Sequence, residues 1–179
     1  MMDSLTIDKN GNGVEVTWFD DGTVSSAGLY ANKRQQGRWK YYHKNGMMSA
    51  SEIYQDGHLM SKQYYTEDGT EMQDTTTRDH SPEFPNGMKA WGKYLSDHIY
   101  FPSQYKFTKD AAVTVLVTFA VNEEGNVSEA YVTLPFHRDF DDIALKIIRS
   151  SPKWQPAVSH NRKVKYYLSQ SVTFSQTSD

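Results

Sequence analysis

Three segments of this chain, "GVEVTWFDDG" (13–22), "GRWKYYHKNG" (37–46) and "SKQYYTEDG" (61–69), begin 24 residues apart. Each carries an aromatic pair (Trp18/Phe19, Tyr41/Tyr42 or Tyr64/Tyr65) and ends in Asp-Gly or Asn-Gly. Those dipeptides supply the positive-φ residues that tight hairpin turns need. Between the copies lie "SAGLYANK" (26–33) and "SASEIYQDG" (49–57), each with a tyrosine ahead of its own turn signal. Polar and apolar residues alternate with period two, as in strands exposed on one face. A fixed repeat, regular turns and strand alternation together leave few folds open. Residues 5–73 are expected to form consecutive β-hairpins in a meander. Trp18, Trp39, Tyr41, Tyr42, Tyr54, Tyr64 and Tyr65 would supply its aromatic face. A single-layer sheet needs such rings to cover itself, and the same rings could serve a partner as a platform. The residues favour the covering role.

The bulk numbers fit a β-rich chain. Aromatic content is 13% of 179 residues, with twelve tyrosines, and that length allows one domain or two small ones. Mean hydropathy is −0.72. A net charge of −3 argues against a general nucleic-acid binder, which would show a basic face. No apolar run has the length of a bilayer span, and "MMDSLTIDKNGNG" shows neither the basic nor the apolar region of a signal peptide. There is no cysteine, so disulfides and thiol chemistry are excluded.

"DTTTRDHSPE" (74–83) has no apolar residue and breaks both patterns, which marks a linker between the repeat region, 1–73, and a second domain, 84–179. In "PNGMKAWGKYLSDHI" (85–99), Met88, Trp91, Leu95 and Ile99 recur at helical spacing. "AVTVLVTFAV" (112–121) reads as a strand with Val113, Val115, Val117, Phe119 and Val121 on one face, "NEEGN" (122–126) as a turn and "VSEAYVTL" (127–134) as the return strand. "DFDDIALKIIRSS" (139–151) predicts a helix with Asp139 at its N-cap, Asp142 completing a capping box, and Phe140, Ile143, Ala144, Ile147 and Ile148 as the buried stripe. Pro152 stops it, Trp154 in "SPKWQP" is expected to plug the core, and residues 163–174 form a last strand. The fold class is α+β: about three antiparallel strands packed by two helices, after an all-β hairpin meander.

The first half resembles MORN-like hairpin repeats, whose pattern of glycine, Trp, Tyr-Tyr and Asn-Gly is met by "GRWKYYHKNG". The second half, "FPNGMKAWGKYL", "IYFP", "VTVLVTFAVNEEGNVSEAYV", "DFDDIALKIIRSSPKWQPA" and "VTF", resembles the TonB C-terminal domain of energy transducers in its Bacteroidetes-type version over 84–175. Several separated motifs fall in the family's order. Asn86, Phe101, Ala112 and Arg162 depart from it, the last standing where the family usually has glycine.

That resemblance implies a periplasmic protein-binding module. In the family the last strand pairs with the short TonB-box peptide of an outer-membrane transporter. Here the strand is Lys165, Tyr166, Tyr167, Leu168, Ser169, Gln170, Ser171 and Val172 on to Thr173, with Phe101 and Pro102 near the peptide. An unpaired strand edge suits strand addition, although Lys163 and Lys165 are charges of the kind that discourage it. The same edge offers homodimerisation. Inner-membrane motor proteins would join the partners if a membrane helix and a Pro-rich spacer preceded this chain. Without them it reads as a fragment of a transducer or a stand-alone adaptor. The competing reading is a non-transducing scaffold whose repeat aromatics bind a protein or cell-wall glycan.

Nothing in the residues points to catalysis. The six histidines are scattered, the aspartates of "HRDFDD" (137–142) suit a helix start, and phosphate loops and nucleophile elbows are missing. No enzyme activity, metal or cofactor is expected.

Overall fold

The computed structural model describes residues 2–106 and 111–176. The chain divides into two compact units: residues up to Asp79 together with Val158–Lys163, and His80–Ala157 together with Val164 onward.

The first unit is a six-stranded antiparallel sheet whose strands neighbour one another in chain order. They are β1 (Met2–Ile7), β2 (Gly13–Trp18), β3 (Val24–Ala31), β4 (Arg34–Tyr42), β5 (Met48–Gln55) and β6 (His58–Tyr64). The repeat has a local cause. At 19–23, 43–47 and 66–70 one loop geometry recurs: the first residue bonds the fifth, and a glycine three residues on donates back to the first. The Asp21, Asn45 and Asp68 side chains each accept the N–H two residues later, fixing the loop from inside.

The aromatic face is an interior. Trp39, Tyr41 and Tyr64 are buried around Ala50, with Tyr30, Tyr54 and Met72 at the margin. A Cβ on Gly28 would lie 2.0 Å from the Trp39 ring, so only glycine lets that ring cross the neighbouring strand. Trp39 donates its Nε1–H to the Leu29 carbonyl at 3.1 Å.

The Val158–Lys163 segment, read from sequence as belonging to the second domain, packs in this first unit. It is the tip of a hairpin between β9 (Ala157–Ser159) and β10 (Arg162–Val164). His160 stacks on Tyr41 with centroids 3.7 Å apart. Asn161 donates to the Tyr65 carbonyl at 2.9 Å. The buried Arg162 guanidinium lies 5.6 Å from the Phe19 ring and 5.4 Å from the Tyr41 ring, and donates to the Ser25 carbonyl and hydroxyl.

The second unit contains helix α1 (Gly87–His98) and helix α2 (Arg138–Arg149) and a three-stranded sheet. The sheet is β7 (Ala112–Val121), β8 (Val127–Leu134) and β11 (Tyr166–Ser175), in the order β11-β7-β8. Val115, Val117, Phe119 and Val121 project from one face of β7 into a core shared with Phe140, Ile143, Ala144, Ile147 and Ile148 of α2. Trp154 is 4% exposed there, against Phe84, Trp91 and Phe119.

Three local expectations are corrected. The α2 N-cap is His137, whose side chain accepts the Asp139 N–H; Asp139 lies in the first turn, and Asp142 faces Arg138 at 3.7 Å instead of closing a capping box. Met88 is 66% exposed, because the buried stripe of α1 runs through Trp91 and Leu95 only. The expected strand 163–174 is broken into β10 and β11, since Arg162 is drawn into the first unit and the chain must turn before re-entering the sheet.

Candidate functional site

The second unit has two sheet edges, and they differ. β8 is irregular: its register against β7 shifts twice, Glu129 has φ 49°, and Arg149 of α2 donates Nη2–H to the Ala130 carbonyl at 2.7 Å. Bulges and a capped carbonyl spoil a strand as a template. β11 pairs with β7 without interruption from Tyr166↔Val121 to Ser175↔Ala112, and among the described residues of this unit no strand pairs with its other side. Ten residues of extended backbone thus run about 33 Å along an open edge. Alternate residues of an antiparallel edge strand turn their N–H and C=O groups away from its one partner.

The pleat sorts the expected site residues. Leu168, Gln170 and Val172 lie on the helix side, opposite Phe119, Val117 and Val115; Tyr167, Ser169 and Ser171 lie on the other, opposite Ala120, Thr118 and Leu116. On that second face hydroxyl pairs link the strands, Thr114 to Thr173 at 2.9 Å and Thr118 to Ser169 at 3.0 Å. Tyr166 and Tyr167 are 41% and 51% exposed. Tyr167 reaches across the small Ala120 and donates its hydroxyl to Glu129, which also holds Lys165 at 2.7 Å. Lys165, expected as a charge that guards the edge, is therefore tied across the sheet; Lys163 belongs to the first unit.

Gln170 is anchored from the helix side. It accepts the Trp91 Nε1–H at 2.7 Å and donates Nε2–H to the Ser171 carbonyl at 2.7 Å. Beyond it, a slot of about 430 Å³ opens between the C-terminal half of α1 and the β11 edge from Ser171 to Ser175. Phe101 contributes to that slot, whereas Pro102 lines a separate depression of about 600 Å³ beside α2. Of the sequence-predicted residues, Tyr166–Val172 thus lie in one strand, Lys165 directly precedes it, Phe101 borders both depressions and Pro102 lines only the one beside α2. Gly92, Leu95 and Ser96 of α1 join them through the fold, and sequence spacing gave no sign of it.

The "HRDFDD" cluster organises the start of α2. Asp139 accepts from the Tyr105 hydroxyl and from Gln104, both at 2.9 Å. These bonds hold its carboxyl below the usual range and push the Tyr105 phenol up. Among the described residues no three His, Asp or Glu side chains are placed to hold a metal, and no helix is long and apolar enough to cross a membrane. The repeat aromatics are divided: Trp39, Tyr41 and Tyr64 are buried, while Trp18, Tyr42, Tyr54 and Tyr65 are half-exposed.

Residues 98–175, which hold the three-stranded sheet, α2 and the last hairpin, match the family model of the Gram-negative bacterial TonB protein C-terminal. This segment is similar to that domain. Neither the curated proteins nor the solved structures provide a match to the chain. The TonB C-terminal domain is a protein-interaction module of the Gram-negative periplasm whose partners are outer-membrane transporters. In this copy Arg162 has no part in the module's own sheet and packs instead against the repeat unit.

Proposed function

We propose that the open edge of β11 receives the TonB-box peptide of an outer-membrane transporter by strand addition, in the periplasm, as part of energy-coupled transport. The observation that carries this reading is the contrast between the edges: ten uninterrupted pairs on β11, against two register shifts and a capped carbonyl on β8. An incoming strand would bond to the backbone of Tyr166–Ser175, and the side chains beside the edge would select among sequences. The chemistry needs no catalytic group. The repeat unit serves here as a folded platform, its central rings Trp39, Tyr41 and Tyr64 being buried.

Strand addition spends main-chain donors, so a chemical edit of the peptide backbone tests it. N-methylation at every second residue of a TonB-box peptide should abolish saturable binding to the full chain in one phase of the alternation and leave it nearly unchanged in the other. Equal binding of both methylated peptides would reject pairing along the strand.

A further inference from the structure

The face of the three-stranded sheet turned away from the helices carries two exposed tyrosines, and one of them is held down. Tyr167 stands on β11 and Glu129 on β8, two strand spacings or about 9.6 Å apart across β7. The Tyr167 hydroxyl donates to Glu129, so the ring lies along the sheet over its partner Ala120, which is 0% exposed. Glu129 has φ 49°, and Lys165 holds its other carboxylate oxygen at 2.7 Å. A left-handed backbone and a lysine thus fix a ring that stays 51% exposed, an arrangement that packing alone does not ask for. Tyr131, paired with Thr118 on the same face, is 52% exposed. Strand spacing and rise put its Cα about 12 Å from that of Tyr167.

Around the rings this face is made of hydroxyls. Thr118 bonds Thr133 at 2.5 Å and Ser169 at 3.0 Å, and Thr114 bonds Thr173 at 2.9 Å. A hydroxyl in such a pair keeps acceptor capacity for a ligand, and Thr114, Thr133, Ser169 and Thr173 are exposed. Glu129 is the only charged residue in β7, β8 and β11, and Lys165 neutralises it. An anionic polymer therefore finds no cation in these strands, and a lipid surface finds the apolar side chains broken up by hydroxyls. A sugar ring matches both features: its C–H side suits the negative face of a tyrosine, and its hydroxyls suit the threonines and serines. We propose that this face is a binding platform for an uncharged oligosaccharide, with Tyr167, pinned by Glu129, and Tyr131 as its stacking rings. The platform lies on the sheet's face and uses no unpaired backbone, so it stands independently of strand addition at the β11 edge.

The probe is cellohexaose, titrated into the isotope-labelled full chain with backbone amide shifts as the readout. Saturable shifts should appear at 114–120, 129–133 and 167–173 with a Kd of the order of 1 mM, together with contacts between tyrosine ring protons and sugar C–H protons. Tyr131→Ala and Tyr167→Ala should each weaken binding about fivefold or more. Tyr167→Phe keeps the ring but releases it from Glu129, and should weaken binding by less than Tyr167→Ala. Thermal melts of each variant report folding. Should Tyr167→Ala fail to fold, Tyr131→Ala and the shift map of the wild-type chain decide the proposal. No saturable shift up to about 10 mM sugar, shifts confined to the first unit, or folded alanine variants that bind like wild type would each overturn it.

Discussion

Gln170 joins the helix layer to the open edge with one amide. Its oxygen takes the indole N–H of Trp91, a residue 2% exposed, and its nitrogen holds the Ser171 carbonyl. Gln170→Leu keeps the bulk but strands that N–H, at a cost of about 1–3 kcal/mol. Urea denaturation followed by tryptophan fluorescence should show the loss, and an unchanged midpoint would contradict the assigned bond. His160 is a second residue with a definite expectation. Burial against Tyr41 holds its pKa below the ordinary value; Glu52 at 3.6 Å opposes this, Arg162 reinforces it and Asp79 opposes it again. The unfolded chain therefore binds the proton more readily than the folded one. The stabilisation is complete above the unfolded value of 6.5 and is lost as pH falls through the lower, folded value. Melting temperature should fall on acidification below about pH 6.5, and His160→Gln should flatten that slope. A slope identical in the two proteins would exclude His160 as its source.

The turns show at the scale of elements why some features were legible in the sequence. Asp-Gly and Asn-Gly dictate their own local geometry, so the hairpins and their period could be read directly. Gly125 and Gly22 illustrate the limit. Both have φ 86°, but a Cβ on Gly125 would lie 2.0 Å from the Trp154 carbonyl, while Gly22 faces open space. Sequence shows two equivalent turn glycines; only the fold distinguishes them. Gly22→Ala should cost about 1 kcal/mol from backbone strain alone, and Gly125→Ala clearly more, about 1–3 kcal/mol beyond it. Equal losses in denaturant titrations would mean that the 122–126 loop can move off Trp154. The β11 edge was partly legible for a similar reason. Alternation located the strand, but the slot depends on Gly92, Phe101 and Phe174, which are distant in sequence. Nothing local in 127–134 announces the bulge at Glu129 or the Arg149 cap that disqualify the other edge.

The whole chain consists of two units that are not simply consecutive. After Ala157 it leaves the second unit, gives Val158–Lys163 to the first, and returns at Val164. A boundary read from composition cannot show such a return, because the contacts that define it join residues more than a hundred positions apart, as Arg162 and Ser25 do. A fragment starting near residue 80 would leave His160, Asn161 and Arg162 without their rings and carbonyls, so the proposed binding is to be tested on the full chain. The α+β architecture follows from periodicity, and the order of motifs in the second half carries its resemblance to the TonB C-terminal domain. The contrast between the two sheet edges, on which the proposed strand addition rests, follows from three-dimensional detail. Backbone amide mapping of the isotope-labelled full chain with a TonB-box peptide tests that use most directly. Saturable shifts concentrated in Tyr166–Ser175, with intermolecular contacts to the same backbone, are the predicted result. Saturable shifts confined to β8 or the helices, with β11 unmoved, would contradict it.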